Sequence, residues 1–214
     1  MKLAIFIIVV AIGVCAYIES TQQNNRDNFN ISQASNNDYV GYPDTDTSKK
    51  LKINTKIITS KQDFINKLNK LILSYNRTHL FKSVVIGQAI QESWVSSKNS
   101  VSGLVKNNLN LFGIKLRSGS KYKDSPYPTQ EYNKKTNKFE TVVSSFQKYP
   151  TWTDSIKDHY DTLRTLHRYR KVFLARDRKE QIIAIHKAGW ATDPNYSKSI
   201  ISIIEQNRLY LYDK

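Results

Sequence analysis

The sequence predicts a mainly α-helical (α+β) domain with a small β-hairpin lobe. Three observations carry this expectation. Apolar residues recur at helical spacing in five stretches, capping signatures open several of them, and one β-prone interval containing Pro126 and Pro128 interrupts the helices. Hydrophobic residues make up 39% of the 214 and aromatic residues 11%, enough to build a packed core. With Gly 7 and Pro 5, collagen-like and low-complexity architectures are excluded.

The elements follow in order. Met1-Lys2 precedes a nearly unbroken apolar run from Leu3 to Ile18, in which Val14-Cys15-Ala16 sets small residues at the −3 and −1 positions of a cut after Ala16. One positive charge, an apolar stretch and a small-residue site describe an export signal, and residues 1–18 are assigned as a signal peptide or retained N-terminal anchor. The run is shorter than the about 20 apolar residues of a spanning helix. Residues 19–50 are dominated by Asn, Gln, Ser, Thr and Asp, and read as a polar flexible linker, because so little apolar surface cannot offset ordering entropy. Residues 51–214 form the folded domain.

Within it, Ser60-Lys61-Gln62-Asp63 is an acidic capping box, followed by Phe64, Leu68, Leu71, Ile72 and Tyr75 at helical spacing. A second helix is expected from His79 to Trp94, and residues 95–120 as irregular chain broken by three glycines. The Thr129–Tyr132 and Thr141–Phe146 runs flank a polar turn at Asn133–Lys138 and predict a hairpin. Thr151 with Asp154 opens a helix through Ile156, Tyr160 and Leu163. Asp177 with Glu180 opens another, which Gly189 stops. Asp193-Pro194 reads as an N-cap followed by Pro at the first helical position, leading to Ile200, Ile203 and Ile204.

Charge is unevenly placed. Residues 1–50 hold four Lys/Arg against five Asp/Glu, whereas residues 51–214 hold 29 against 13, so the folded part carries a net +16. A strongly basic exported domain is drawn to polyanions, and export favours anionic cell-wall polymers over nucleic acid. The single cysteine, Cys15, excludes an internal disulfide and any cysteine-ligated zinc or iron–sulfur site. His79, His159, His167 and His186 show no metal spacing and are expected in surface or half-buried roles; no phosphate loop is present, and no cofactor or metal is expected.

An ordered set of motifs then becomes informative. Gly87–Trp94 (GQAIQESW) is followed by Asn110–Lys115 (NLFGIK), Pro128–Tyr132 (PTQEY), Phe146–Tyr149 (FQKY), Trp152 with Ser155 and Ile156, and Gly189–Tyr196 (GWATDPNY). Over about residues 60–213 this set resembles the peptidoglycan N-acetylglucosaminidases of glycoside hydrolase family 73, which include autolysins and the flagellar muralytic domain. The resemblance implies a lysozyme-like helical domain with a small β lobe, acting as a secreted or cell-envelope monomer on peptidoglycan glycan strands.

Glycoside hydrolysis needs a protonated acid near the leaving oxygen and stabilisation of an oxocarbenium-like transition state. Glu92 stands at the end of an apolar helix between Ile90 and Trp94, where desolvation would favour the protonated carboxyl; a solvated helix-end glutamate is the alternative. The resemblance implies the general-acid role for Glu92 and makes Glu131 the second carboxylate. Glu131 would activate water in an inverting reaction, unless the substrate's own 2-acetamido group serves as nucleophile. Asp124, Glu140 and Asp158 read as surface charges. The resemblance also implies substrate-binding positions at Ser93, Trp94, Asn110, Phe112, Tyr132, Tyr149, Trp190, Asp193 and Tyr196, with core packing the competing role for the aromatics. Two positions depart from the family: Trp190 stands where a tyrosine is usual, and Gln147 stands where an arginine is usual. A muramidase or lytic transglycosylase on a related fold, and a non-catalytic basic wall-binding module, are the alternative functions.

Overall fold

The computed structural model describes residues 57–73, 79–133 and 135–213. The expected export segment and linker lie outside the described residues. Six α-helices are described: α1 (Lys61–Leu73), α2 (Lys82–Ser93), α3 (Gly103–Asn108), α4 (Trp152–Thr165), α5 (Arg178–Lys187) and α6 (Tyr196–Gln206). Two hairpins accompany them, β1 (Trp94–Val95) with β2 (Ser100–Val101), and β3 (Lys123–Asn133) with β4 (Lys138–Lys148). Short 3₁₀ segments cover Ser96–Lys98, His167–Leu174 and Leu209–Asp213. The mainly α reading with a hairpin lobe is therefore correct.

The three capping signatures act as their sequences require. Ser60 Oγ accepts from the Asp63 amide at 3.1 Å, Thr151 Oγ1 from Asp154 at 3.1 Å, and Asp177 Oδ1 from Glu180 at 2.8 Å. Asp63 reaches back to the Thr59 amide at 3.1 Å, which completes a box one residue longer than the usual one.

α2 is the central element. Every residue of it except Gln91 is buried, as expected of a helix surrounded by others, and α1, α5, α6 and the Leu209–Asp213 turn pack around it. Its closest neighbour is α6, and Gly87 makes that approach possible. A Cβ at position 87 would stand 3.0 Å from Ile200 Cγ2 and 3.2 Å from Ile204 Cγ1. No side chain of its own caps α2. Asp213 does so from another element, accepting the Ser83 amide at 2.8 Å and the Ser83 hydroxyl at 2.7 Å, while Gln181 Oε1 accepts the Phe81 amide at 2.8 Å.

The long hairpin pairs antiparallel from Lys123↔Lys148 to Asn133↔Lys138, longer at both ends than the β-prone residues indicate. Pro126 and Pro128 share one parity along β3, whose outer edge has no partner strand, so their missing N–H groups cost no ladder bond. Its base is anchored. Phe146 packs with Leu104 and Tyr127, Leu116 donates to the Ser145 carbonyl at 2.9 Å, and Gln147 donates to the Ile114 carbonyl at 3.1 Å. Its far half is largely exposed.

Three expectations are corrected here. Residues 95–120 are not simply irregular: the β1–β2 ladder pairs Trp94 with Val101, and α3 begins after Ser102, whose Oγ accepts from Val105 at 3.4 Å. Elements of two and six residues are too short for periodicity to show. Asp193 does not cap α6 directly. It accepts the Asn195 amide at 2.9 Å in a tight turn, and α6 starts at Tyr196. Likewise α2 starts at Lys82, not His79.

Candidate active site

Glu92 lies in the last turn of α2 and is only 1% exposed. The phenol of Tyr196, the first residue of α6, lies close enough to Glu92 to feel the charge of its carboxylate. Gln88, one turn earlier on the same face of α2, donates from Nε2 to the Tyr196 hydroxyl at 3.0 Å. On its other side the Gln88 Oε1 lies 3.1 Å from Nε2 of His159 in α4. His159 is stacked on Phe112 with ring centres 4.0 Å apart, and the Trp190 indole meets it edge-on at 5.0 Å. Glu92, Tyr196, Gln88, His159, Phe112 and Trp190 thus form one buried cluster built from α2, α4, α6 and two loops.

The electrostatics follow from burial. His159 is fully buried, which pushes its imidazole down to about pH 3 and leaves it neutral at ordinary pH. Burial pushes the Tyr196 phenol well above its ordinary range, and the adjacent Glu92 charge adds to the shift. The expectation that the histidines occupy surface or half-buried positions is therefore wrong for His159. Its signal was faint, since a histidine on an apolar helix face has no distinguishing spacing.

Glu131 sits on β3 opposite Glu140 and is half-buried. Lys115, the last residue of the NLFGIK run, forms an ion pair with it, and the Ser144 hydroxyl donates to Oε1 at 3.0 Å. Lys115 was not singled out from sequence, although it ends a motif that was.

Several of the remaining candidates hold the framework around the site. Asn110 donates from Nδ2 to the Ile114 and Gln147 carbonyls, each at 2.9 Å, and accepts the Ile114 amide at 3.0 Å, which fixes the loop that carries Phe112. Ser93 donates to the Leu111 carbonyl at 2.7 Å, and Trp94 stacks on Phe64 with ring centres 5.7 Å apart. Tyr149 donates to Asp158 Oδ2 at 2.7 Å, and burial together with the Asp158 charge pushes its phenol far up. Asp193 shapes the turn before α6, and Tyr132 lies on the far part of the hairpin, donating to Asn137 at 3.1 Å and packing on Phe139. Among the surface-charge expectations Asp158 is the correction. It is 8% exposed and is held by Arg117 at 2.5 Å, by Tyr149, and by Gln147 at 2.7 Å. Among the described residues no group of three His, Cys, Asp or Glu is placed to hold a metal ion.

The chain as a whole has known counterparts. The glucosaminidase family model, described as mannosyl-glycoprotein endo-beta-N-acetylglucosaminidase, matches residues 68–209. The chain belongs to this family, glycoside hydrolase family 73, as its motifs suggested. Among curated proteins it is 32% identical to the exo-glucosaminidase LytG of Bacillus subtilis over 79% of this chain and 60% of the relative. It is 27% identical to the peptidoglycan hydrolase FlgJ of Salmonella typhimurium over 58% of this chain and 38% of the relative. The chain therefore spans less than two thirds of either relative's length. Among solved structures, the catalytic domain of the autolysin Auto from Listeria monocytogenes is similar at a TM-score of 0.55 and 30% identity, covering 73% of this chain and 89% of that one.

Proposed function

We propose that the domain hydrolyses the glycosidic bond after N-acetylglucosamine in peptidoglycan, with Glu92 as the general acid. The single observation that carries this reading is the setting of Glu92: an almost fully buried carboxyl at the end of the central helix, in one cluster with Gln88, Tyr196 and Trp190. A general acid must present its proton to the leaving oxygen from a site that bulk water does not reach, and the end of α2 offers such a site. At 1% exposure the acid is closed off, so glycan binding has to part the side chains over it. Glu131, oriented by Lys115 and Ser144, is the candidate base in an inverting reaction; if it is dispensable, the substrate's acetamido group is the nucleophile.

Affinity for the wall comes from charge. Residues 164–179, spanning the His167–Leu174 turn and the start of α5, hold seven Lys/Arg against Asp177 alone, and six of the seven are exposed. This strap is the natural contact for anionic cell-wall polymers. Residues 1–18 would direct the protein to the envelope, and residues 19–50 would tether the domain there. Among the described residues no helix is long and apolar enough to cross a membrane.

The test is digestion of purified sacculi with mass spectrometry of the products. Reducing-end N-acetylglucosamine supports the proposal, reducing or anhydro-muramyl ends indicate the muramidase or transglycosylase alternative, and no release indicates a binding module. Glu92→Gln should lower the rate by ~10²–10⁴-fold. A variant that keeps more than about a tenth of the activity removes Glu92 from the role.

A further inference from the structure

We infer that Lys115 is a positioning residue for Glu131: reaching from the helical body to the arm, it binds one carboxylate oxygen and leaves the other to act as the base. The inference rests on the proposed role of Glu131.

The placement of Lys115 begins with the backbone. Asn110 accepts the Ile114 amide at 3.0 Å and donates to the Ile114 carbonyl at 2.9 Å. From there the chain runs beside the base of β4. Gln147 donates to the Ile114 carbonyl at 3.1 Å and Leu116 donates to the Ser145 carbonyl at 2.9 Å, which sets Lys115 opposite Phe146 in an antiparallel bridge. Residues directly opposite each other share a face, and so do alternate residues along a strand. Lys115, Phe146, Ser144, Glu140 and Glu131 therefore stand on one face of the arm, the face that packs Phe146 against Leu104. Tyr132 and Phe139 take the other face.

Glu131 and Glu140 are directly opposite each other, a like-charge pair that a ladder disfavours. Their side chains are drawn apart. Glu140 accepts from Asn133 Nδ2 at 2.9 Å and from Thr136 Oγ1 at 3.0 Å, on the side of the turn. Glu131 is drawn towards the base. Ser144, which pairs with Tyr127, donates to its Oε1 at 3.0 Å, and Lys115 binds the same oxygen. The Lys115 and Glu131 side chains are 19% and 22% exposed, so water screens their attraction only in part. Oε2 has no hydrogen-bond partner among the described residues. One oxygen is thus tied to the body, and the other is open to accept a proton.

In an inverting reaction the water oxygen bonds to the anomeric carbon as its proton passes to Glu131 Oε2, while the bond to the leaving oxygen breaks and that oxygen takes the Glu92 proton. The accepting oxygen must lie within hydrogen-bond reach of that water, and a misplacement of about 1 Å costs on the order of 10²-fold. The far half of the arm is largely exposed and supplies little packing to hold its own carboxylate in place. Lys115 supplies that constraint from the body.

Kinetics on purified walls and hydrogen exchange test this together. Lys115→Met removes the charge and should lower kcat by ~10–10²-fold with KM within about threefold of wild type, since Lys115 acts through Glu131 and not on the glycan. Lys115→Arg keeps a cation for the carboxylate and should recover most of the rate. Glu131→Gln should cost ~10²–10⁴-fold, and Lys115→Met/Glu131→Gln should be no slower than Glu131→Gln, because both act on one carboxylate. Glu140→Gln should keep the wild-type rate. Independently of turnover, exchange over residues 128–133 and 138–143 should quicken in Lys115→Met and not in Lys115→Arg. A folded Lys115→Met enzyme with wild-type kcat or unchanged exchange overturns the inference. Additive losses in the double variant, or a raised KM, assign Lys115 to the glycan itself and overturn it too, as does a Glu140→Gln enzyme as slow as Glu131→Gln. If Lys115→Met does not fold, Lys115→Gln decides on the same measurements. Glu131→Gln at full rate defeats the base itself, whereas a slow Glu131→Gln beside an undiminished Lys115→Met defeats only the role of Lys115.

Discussion

Replacing Gly87 by alanine tests the geometry on which the site depends. The added methyl would lie 3.0 Å from Ile200 Cγ2 and 3.2 Å from Ile204 Cγ1, both on α6 and both inside normal contact distance. Neither neighbour can swing away freely, because Ile200 and Ile204 are fully or almost fully buried. Overpacking of this kind costs ~1–3 kcal/mol, against a helix-propensity gain of ~1 kcal/mol for Gly→Ala. The net expectation is destabilisation of about 1 kcal/mol, or a Tm lower by ~2–4 °C in a domain of this size. Activity should fall more than stability does, since α2 carries Glu92 and α6 carries Tyr196, and separating the helices moves one from the other. Thermal unfolding and wall-digestion rates would be measured on Gly87→Ala, Ile200→Ala and the double variant. Ile200→Ala removes the Cγ2 that the new methyl meets, so the double variant should be more stable than the sum of the single losses predicts, by ~0.5–3 kcal/mol. A Gly87→Ala protein that melts higher by the full propensity gain and digests walls at the wild-type rate would refute the close α2–α6 approach.

Two further outcomes can be measured on the same material. His159 stays neutral in the folded state down to about pH 3, whereas an unfolded histidine protonates near its ordinary value of 6.5, so between those values the unfolded chain binds the extra proton and stability falls as pH falls. His159→Gln should flatten the urea-midpoint profile across that window, and an equally steep acid loss in the variant would assign the effect to other groups. Asp213→Ala should destabilise the domain by ~1 kcal/mol, because the Ser83 amide and hydroxyl at the start of α2 lose their acceptor; Ser83→Ala in the Asp213→Ala background should then add little, and a large additional loss would show that the two do not act as a pair.

What the sequence reveals of this fold is what is decided locally. Ser60, Thr151 and Asp177 announce helix starts because the groups they bond lie within the next turn. The start of α2 is displaced from its expected place because its cap is not local: Asp213 and Gln181 come from distant parts of the chain, and nothing near Lys82 records them. The same holds for β1 and β2, a two-residue ladder, and for the 3₁₀ segment at His167–Leu174, whose buried Tyr169 and Val172 follow a three-residue spacing too short-lived to register. The hairpin was legible from its β-prone runs and polar turn, but its full length depends on backbone pairing that extends past them to Lys123 and Lys148.

At the site, Glu92 was legible through its motif, and Gln88 could have been found beside it, being one helical turn earlier on the same face. His159 and Asp158 could not, because a polar residue is stable in a core only when its partners arrive, and theirs come from other elements. The clearest instance is Gln147. Read along the strand, glutamine in place of the family's usual arginine is a lost positive charge. In three dimensions the Gln147 amide donates to Asp158 Oδ2 at 2.7 Å, while Arg117, from the loop before β3, takes Oδ1 at 2.5 Å. The carboxylate is thus bonded by an amide, a guanidinium and the Tyr149 phenol at once, each to a geometry its chemistry allows. The charge missing from position 147 is present one loop away. A motif counts residues at positions, whereas Asp158 responds only to what reaches it: one guanidinium, one amide and one phenol, from three different parts of the chain.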